Sequence, residues 1–358
     1  MRLMLIGTDR TLFTKGAAVR ERIVRFGNEY TEGLDSIVFS TTRHGIEESQ
    51  ELAQKVHAYP TRSRSRFLYI WDALKQAKKL PKPDIVSAQD PFETGLAAYF
   101  IARYFKVPFA VEVHTDFLAK AFSDLSLLNK IRILIARFVL ARAVGGYVVS
   151  ERVRQEMLKK YSKIGTFKVL PIYIDLSSYS RLEHVPHPHF KTALLWVGRM
   201  EEEKNPELAL EAFIQARAQG FDGGITFVGS GSHLKNLQDT VQAQGLSEWV
   251  TFVGTVSDVK PYYQTADLML VTSKYEGYGM ALVEALAAHV PVLSTDVGVA
   301  REAGATIADT DFTKSLIQYL AEKSAQPART LPTYINEQDY FDQVRTHYQS
   351  LITHPDHL

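Results

Sequence analysis

The sequence predicts an α/β protein of two Rossmann-like domains facing each other across a cleft. Three observations carry that expectation. Short apolar runs rich in β-branched residues alternate with longer segments of helical period, the pattern of parallel strands covered by helices on both faces. The alternation occurs as two series, one in each half of the chain. A chain of 358 residues, 46 % hydrophobic, is also long enough to bury two cores.

In the first half, strands are expected at 3–6, 36–39, 85–87, 109–113, 147–149 and 168–170, with helices between them such as 93–104 and 151–160. The second half repeats the scheme with strands at 193–197, 224–228, 250–253, 268–271 and 291–294, and helices at 206–219, 231–244 and 279–288. The join is expected at 177–191, where alternating prolines in His184-Val185-Pro186-His187-Pro188-His189 disfavour helix. The three histidines lack a carboxylate partner in an ordered frame and read as linker composition, with metal binding the lesser alternative. The expected domains are 1–183 and 184–335, followed by a C-terminal helix, 336–358, packing back towards the first domain.

Composition removes several classes. With no cysteine, a disulfide framework, a thiolate metal site and a catalytic thiol are excluded. The apolar run at Met1–Gly7 is too short for a signal peptide and reads as a first buried strand. No stretch of about 18 apolar residues is present, so no helix is expected to span a membrane. A soluble, cytoplasmic chain is expected. Its net charge of +1 hides an asymmetry. Residues 1–183 hold 29 Lys/Arg against 19 Asp/Glu, and residues 184–358 hold 12 against 21. The basic half is expected to favour an anionic surface or acceptor, the alternative being a solvated face with no partner. Within it, Arg62, Arg64, Arg66, Lys75, Lys78 and Lys79 lie on what reads as a helical stretch. The segment 125–144 sets Lys130, Arg132, Arg137 and Arg142 beside many apolar residues. Peripheral contact with a membrane is one expectation; packing of those apolar residues in the domain core is the other.

Three constellations in the second half put backbone or basic groups at the carboxyl end of a strand, where open parallel sheets bind ligands. In Trp196-Val197-Gly198-Arg199, running on to Lys204-Asn205-Pro206, a buried strand meets a glycine and an arginine before a helix start with Asn as cap and Pro at its first position. Arg199 and Lys204 are expected to converge on one anion, the first as a fork and the second as a point charge. Val228-Gly229-Ser230-Gly231 is a strand followed by a glycine turn, for which packing alone is an adequate reason. The strongest is Ser273-Lys274-Tyr275-Glu276-Gly277-Tyr278-Gly279-Met280-Ala281, running into Glu284. Gly277 and Gly279 make a turn into a helix whose first amides would form an anion site. Glu284, one and a half turns further on, would accept from the adjacent hydroxyls of a ribose.

These residues resemble the retaining glycosyltransferases of family 4, which have the GT-B fold. The resemblance spans about 194–302. It rests on Gly198-Arg199 with Lys204-Asn205 and on Glu276 and Glu284 in family order. It implies that Arg199 and Lys204 hold the diphosphate of a nucleotide-diphosphate sugar, the co-substrate, with no metal and no cofactor. Glu276 and the backbone near Gly277, Tyr278, Gly279, Met280 and Ala281 would meet sugar and phosphate. Glu284 would bind the ribose, the strand-end loop at Gly254 would frame the base, and Gly198 and Gly229 would also line the donor site. In the first half, Ala88-Gln89-Asp90-Pro91 and Val111-Glu112-Val113-His114-Thr115-Asp116 are similar to the family's strand-end loops. His114 would then reach the anomeric region, with Asp90, Asp116 and Gly16 on the acceptor side. The first loop departs from the family pattern, since Gly7-Thr8-Asp9-Arg10 lacks the usual glycine pair. The implied activity is transfer of a hexose to a hydroxyl acceptor: a glycan, a lipid-linked glycan or a small molecule. No nucleic-acid partner is expected. Two other functions remain open, a sugar-nucleotide epimerase of the same fold and a non-catalytic sugar-nucleotide or glycan-binding module.

Overall fold

The computed structural model describes every residue except 47, 162, 323–327, 331, 333, 335 and 354–358, so the last five positions of the 336–358 segment lie outside the described residues. The chain divides into two compact units, Met1–Pro171 with Tyr334–Leu358, and Ile172–Thr333.

The first unit holds an eight-stranded sheet in the order β3-β4-β2-β1-β5-β6-β7-β8. Its strands are β1 (Arg2–Gly7), β2 (Gly33–Val38), β3 (Gln50–Ala53), β4 (Val56–Pro60), β5 (Ile85–Ala88), β6 (Phe109–Val113), β7 (Gly145–Val148) and β8 (Thr166–Val169). The central strands are mostly apolar and, but for Arg2 at the start of β1, buried, as strands covered on both faces are. Two strands were not foreseen. β3, with the sequence Gln-Glu-Leu-Ala, is a half-exposed edge, and β4 carries a histidine and ends in proline; neither shows an apolar run. β3 pairs antiparallel with β4, which corrects the expectation of purely parallel sheets. Leu3, Leu34 and Ile85 pack with Phe26 and Tyr30 from the helix Ala18–Tyr30, and with Phe341 and Tyr348 from the helix Glu337–Thr353. That last helix comes close because β7 has glycines. A Cβ on Gly145 would lie 2.9 Å from Leu351, and one on Gly146 would lie 1.8 Å from the Val111 carbonyl oxygen.

The second unit holds a six-stranded, all-parallel sheet in the order β11-β10-β9-β12-β13-β14. The strands are β9 (Ala193–Val197), β10 (Gly224–Val228), β11 (Val250–Gly254), β12 (Leu268–Val271), β13 (Val292–Ser294) and β14 (Thr306–Ile307). From β9 the chain builds outward to β11 on one side, then returns to build β12–β14 on the other. The reversal lies between β9 and β12, and such a switch point opens a crevice at the strands' carboxyl ends. Trp196, Phe227, Leu270 and Phe213 fill the core beneath it.

The join also differs from expectation. Residues 172–183 cluster with the second unit, not the first. The short helix Ser177–Ser180 packs on the helix Met280–Ala287, and Tyr179 meets the Tyr263 ring edge-on at 5.9 Å. Beyond it, Val185 N–H donates to the Gln264 carbonyl at 2.8 Å, so the proline-rich stretch is pinned.

Candidate functional site

At the switch point, the loop after β9 and the loop after β12 are tied together by hydrogen bonds. The Thr272 hydroxyl accepts from Trp196 Nε1 (3.1 Å) and donates to the Asn205 carbonyl (2.9 Å). Lys274 N–H donates to the Glu203 carbonyl (2.8 Å). This clamp places Lys204 Nζ in direct contact with Glu276 Oε1, which also accepts from Ser273 Oγ at 2.8 Å. Both charged side chains are mostly shielded, at 22 % and 15 % exposure.

Arg199 is handled differently. Its Nη2 donates to Glu203 Oε1 at 2.6 Å, and the side chain is 72 % exposed. The expected convergence of Arg199 and Lys204 is therefore not formed in the free protein, because each has found its own carboxylate. Asn205 departs from its expected role too. It sits before the helix Pro206–Ala218 in a left-handed conformation (φ 50°) and makes no side-chain cap.

Of the two glycines after Glu276, only Gly279 adopts a left-handed conformation (φ 98°), and it forms the cap position of the helix Met280–Ala287. Gly277 and Tyr278 are buried, while Met280 is exposed. The helix's first amides, including Ala281, have no partner within the helix itself, as for any helix start. Glu284, inside this helix, accepts from Tyr263 OH (3.0 Å) and is hydrogen-bonded by Tyr179. Burial pushes its carboxyl up from the usual range, partly offset by the two phenols and by Lys260. Gly229 must be glycine, since a Cβ there would lie 1.9 Å from the Gly198 carbonyl oxygen. Its N–H donates to the Gly254 carbonyl (2.8 Å), so Gly198, Gly229 and Gly254 form a continuous rim of backbone.

The first unit carries the other predicted residues. His114, just past β6, contacts Glu112 (Nε2 to Oε2, 3.0 Å). Glu112 is buried in the middle of β6. Its carboxylate takes hydrogen bonds from Tyr348 OH (2.9 Å) and Ser87 Oγ (3.3 Å), and Tyr147 bonds to it as well. Burial alone would raise its pKa; the bonds from His114, Tyr348 and Tyr147 outweigh that and hold it below the usual value. Asp90 accepts from Phe92 N–H (2.7 Å), and burial pushes its carboxyl up to about 6. Asp116 faces Arg152 at 3.5 Å; burial still raises its carboxyl despite that charge. Gly16 is an exposed turn residue with φ 77° and open space around it. In the divergent first loop, Gln89 fills the place where a Gly7 side chain would stand and accepts from Thr8 N–H at 3.2 Å.

Sequence reasoning missed Glu112, Tyr179, Tyr263 and Ser273. Glu112 left a signal: a charge at a core position of a strand, two residues before His114 and so on the same face. The tyrosines left none, because their partner Glu284 is distant in sequence. The linker histidines are occupied locally. His187 Nδ1 accepts from the Phe190 backbone at 3.2 Å, and His184 lies 3.6 Å from Asp267. Among the described residues, no group of three His, Asp or Glu is gathered as metal ligands.

Two α/β units, the second with a crevice at its switch point, are the architecture of the GT-B fold, and comparison with known proteins agrees. The chain belongs to the glycosyltransferase families described as Glycosyltransferase Family 4, matched over residues 30–178, and Glycosyl transferases group 1, matched over residues 183–313. It is 26 % identical over 242 residues to the alpha-monoglucosyldiacylglycerol synthase of Streptococcus pneumoniae, covering 62 % of this chain and 54 % of that one. The chain thus spans about half the length of the curated relatives it matches, among them a putatively assigned teichuronic acid glycosyltransferase of Bacillus subtilis at 54 %. Among solved structures, sucrose-phosphate synthase from Thermosynechococcus elongatus superposes with a TM-score of 0.69 at 17 % identity, over 99 % of this chain and 97 % of that one. Anabaena HepE in complex with UDP and glucose gives 0.67 at 14 % identity, over 99 % and 95 %. At such identities these likenesses establish the fold.

Proposed function

We propose that the chain transfers a hexose, with retention, from a nucleoside-diphosphate donor to a hydroxyl acceptor, without a metal. The observation that carries this is the Lys204–Glu276 pair, held at the switch point on the loop that leads into the helix of Glu284, the residue to which we assign the ribose. Cleaving a glycosidic bond builds oxocarbenium character on the sugar and negative charge on the departing diphosphate. Lys204, Arg199 and the amides after Gly279 are suited to stabilise that charge where it grows. An ammonium has three donors, so Lys204 keeps capacity for phosphate while bonded to Glu276. The acceptor oxygen attacks the anomeric carbon from the leaving-group face as the bond to the diphosphate breaks. The acceptor proton passes to a diphosphate oxygen. His114 is assigned to the transferred sugar, and Asp90, Asp116 and Gly16 to the acceptor side.

The named relatives support this choice of substrates. A homologue is named for a glucosyl transfer to diacylglycerol, and a neighbour was solved with UDP and glucose. A UDP-hexose is therefore the first donor to test, and a membrane-borne hydroxyl the first acceptor. Peripheral contact of the basic first unit with the cytoplasmic membrane face belongs to the same proposal.

The test is a thermal-shift panel with UDP, GDP, ADP and their sugars, followed by turnover in excess EDTA. A ligand at 100 times its Kd stabilises by about 2.7 kcal/mol. Transfer that persists with chelator supports the proposal, and transfer abolished by EDTA and restored by magnesium removes its metal-free part. An isomerised sugar nucleotide without transfer means an epimerase; binding without turnover means a binding module.

A further inference from the structure

Three helices of the first unit pack side by side: Tyr69–Ala77 on Glu93–Phe105, and Glu93–Phe105 on Leu127–Leu140. An unbroken run of ring contacts, Trp71–Phe100–Tyr99–Phe138, crosses all three at centroid distances of 5.9, 5.3 and 5.2 Å. The third helix is apolar on both sides. Asn129, Ala136, Val139 and Leu140 are buried against the unit. On the opposite side Leu127, Ile131, Leu134 and Phe138 stand at i, i+4, i+7 and i+11, a single stripe along the outer surface. Their exposures are 75 %, 47 %, 68 % and 37 %. The expectation that the apolar residues of this segment pack in the core therefore fails for the outer stripe. An exposed apolar stripe of this length marks an interaction surface.

Charge points to the cover. Lys130 and Arg137 are exposed along one flank of the stripe, and Arg142 follows at its end, its guanidinium 3.7 Å from the Phe138 ring centre. Of the acidic neighbours, Glu93 is engaged by Arg132 at 3.0 Å and Asp72 by Lys75 at 3.4 Å, while Asp124, just ahead of the helix, is exposed. At the far side of the row, the helix Tyr69–Ala77 adds Trp71, 56 % exposed, and ahead of it Phe67, 91 % exposed, beside Arg66. The sequence had suggested one helical stretch for the basic run here. In the structure Arg62 and Arg64 precede the helix, and Arg62 has φ 53°. No helix among the described residues is long and apolar enough to cross a membrane, and this one has 14 residues.

We infer that the outer face of the helix Leu127–Leu140 is a docking surface for an anionic lipid bilayer. The apolar stripe enters the acyl boundary, and Lys130, Arg137 and Arg142 meet the headgroups. This deepens the membrane part of the proposed function, on which it rests for the use docking serves. Apolar area supplies the contact, and charge supplies the selectivity for anionic lipid.

The experiment is co-sedimentation of the full chain with phosphatidylglycerol vesicles and with phosphatidylcholine vesicles, at about 0.1 M and about 1 M salt. Over that range the Debye length falls from about 10 to about 3 Å. Wild type should bind anionic vesicles at low salt, release at high salt and ignore neutral ones. Lys130→Glu with Arg137→Glu should weaken binding at least thirty-fold, from about 1 kcal/mol per basic residue lost. Leu134→Glu should weaken it at least tenfold with Tm unchanged, since the site is exposed. Donor turnover with a soluble acceptor and no vesicles should be unaltered in both variants. Negligible or equal binding of wild type to the two vesicles overturns the inference while turnover stands. A wild-type dimer in solution that Leu134→Glu turns into a monomer overturns it in favour of a second copy. Binding intact with no donor turnover sinks the transferase reading and leaves the docking surface.

Discussion

Each unit holds a carboxylate against a basic side chain beside the carboxyl end of a strand, and the two pairs are built in opposite ways. Glu276 and Lys204 lie on loops that follow neighbouring strands, and short backbone ties bring them together. Their partners are few, a lysine and a serine, and an incoming anion has only the ion pair to rearrange. Glu112 instead sits inside β6, bonded by His114, Tyr348, Ser87 and Tyr147, which come from three strand regions and the last helix. The difference separates two uses of a buried charge. A lightly held pair is available to a ligand; a saturated one fixes the residue next to it, here His114, and fastens the C-terminal helix to the sheet.

The largest effect that would break this comparison is on catalysis. Lys204→Ala should lower turnover by roughly 10²–10³-fold, the scale of losing one charge-stabilising donor. Arg199→Ala should fall in the same range or below, since its side chain is exposed and already paired with Glu203, and initial-rate kinetics on folded protein will tell. Wild-type turnover in either variant would end its phosphate assignment.

Next comes stability. Glu112→Ala leaves a histidine and several buried hydroxyls without their shared acceptor and should cost about 3 kcal/mol in denaturant unfolding. Glu276→Ala leaves one ammonium, Lys204, at the edge of an open crevice where it can rehydrate, and should cost less, about 1–2 kcal/mol. If the two costs are equal, the contrast between the sites is wrong.

Kinetic constants sharpen the second unit alone. Glu276→Ala should lower kcat by about tenfold or more, because its contacts matter most as the sugar departs. Glu284→Ala should chiefly raise the donor KM, since ribose contacts persist from ground to transition state. The reverse pattern would exchange their roles.

The narrowest effect, confined to one pH window, concerns Asp90. Its folded carboxyl titrates at about 6, raised by burial from an ordinary 3.8. Between about pH 4 and 6 the folded chain keeps a proton that the unfolded chain has released, so stability falls as pH rises through that window and levels off above it. Asp90→Asn keeps the acceptor for Phe92 N–H and should flatten that slope in Tm measured against pH. An unchanged slope would assign the titration elsewhere.

Much of this protein is legible in its sequence. The strands at 109–113, 193–197, 224–228 and 268–271 and the helix at 151–160 fall where apolar period and flanking turns put them. These signals are local: a buried parallel strand needs a short apolar run, whatever its neighbour. The loops carrying Gly198, Arg199, Lys204, Glu276, Gly279 and Glu284 are legible for the same reason, since strand end, turn and helix start follow one another in the chain. What tertiary structure alone decided is non-local. It paired the edge strand β3 with β4, neither of which has a continuous apolar run, and assigned residues 172–183 to the second unit, where Tyr179 meets Tyr263. It also gave Lys204 to Glu276 and Arg199 to Glu203, where the sequence had suggested a shared anion. The same holds for the helix Leu127–Leu140. Its period announced a helix, but the side that faces inward is chosen by neighbours far away in sequence. Only their packing left Leu127, Ile131, Leu134 and Phe138 outside.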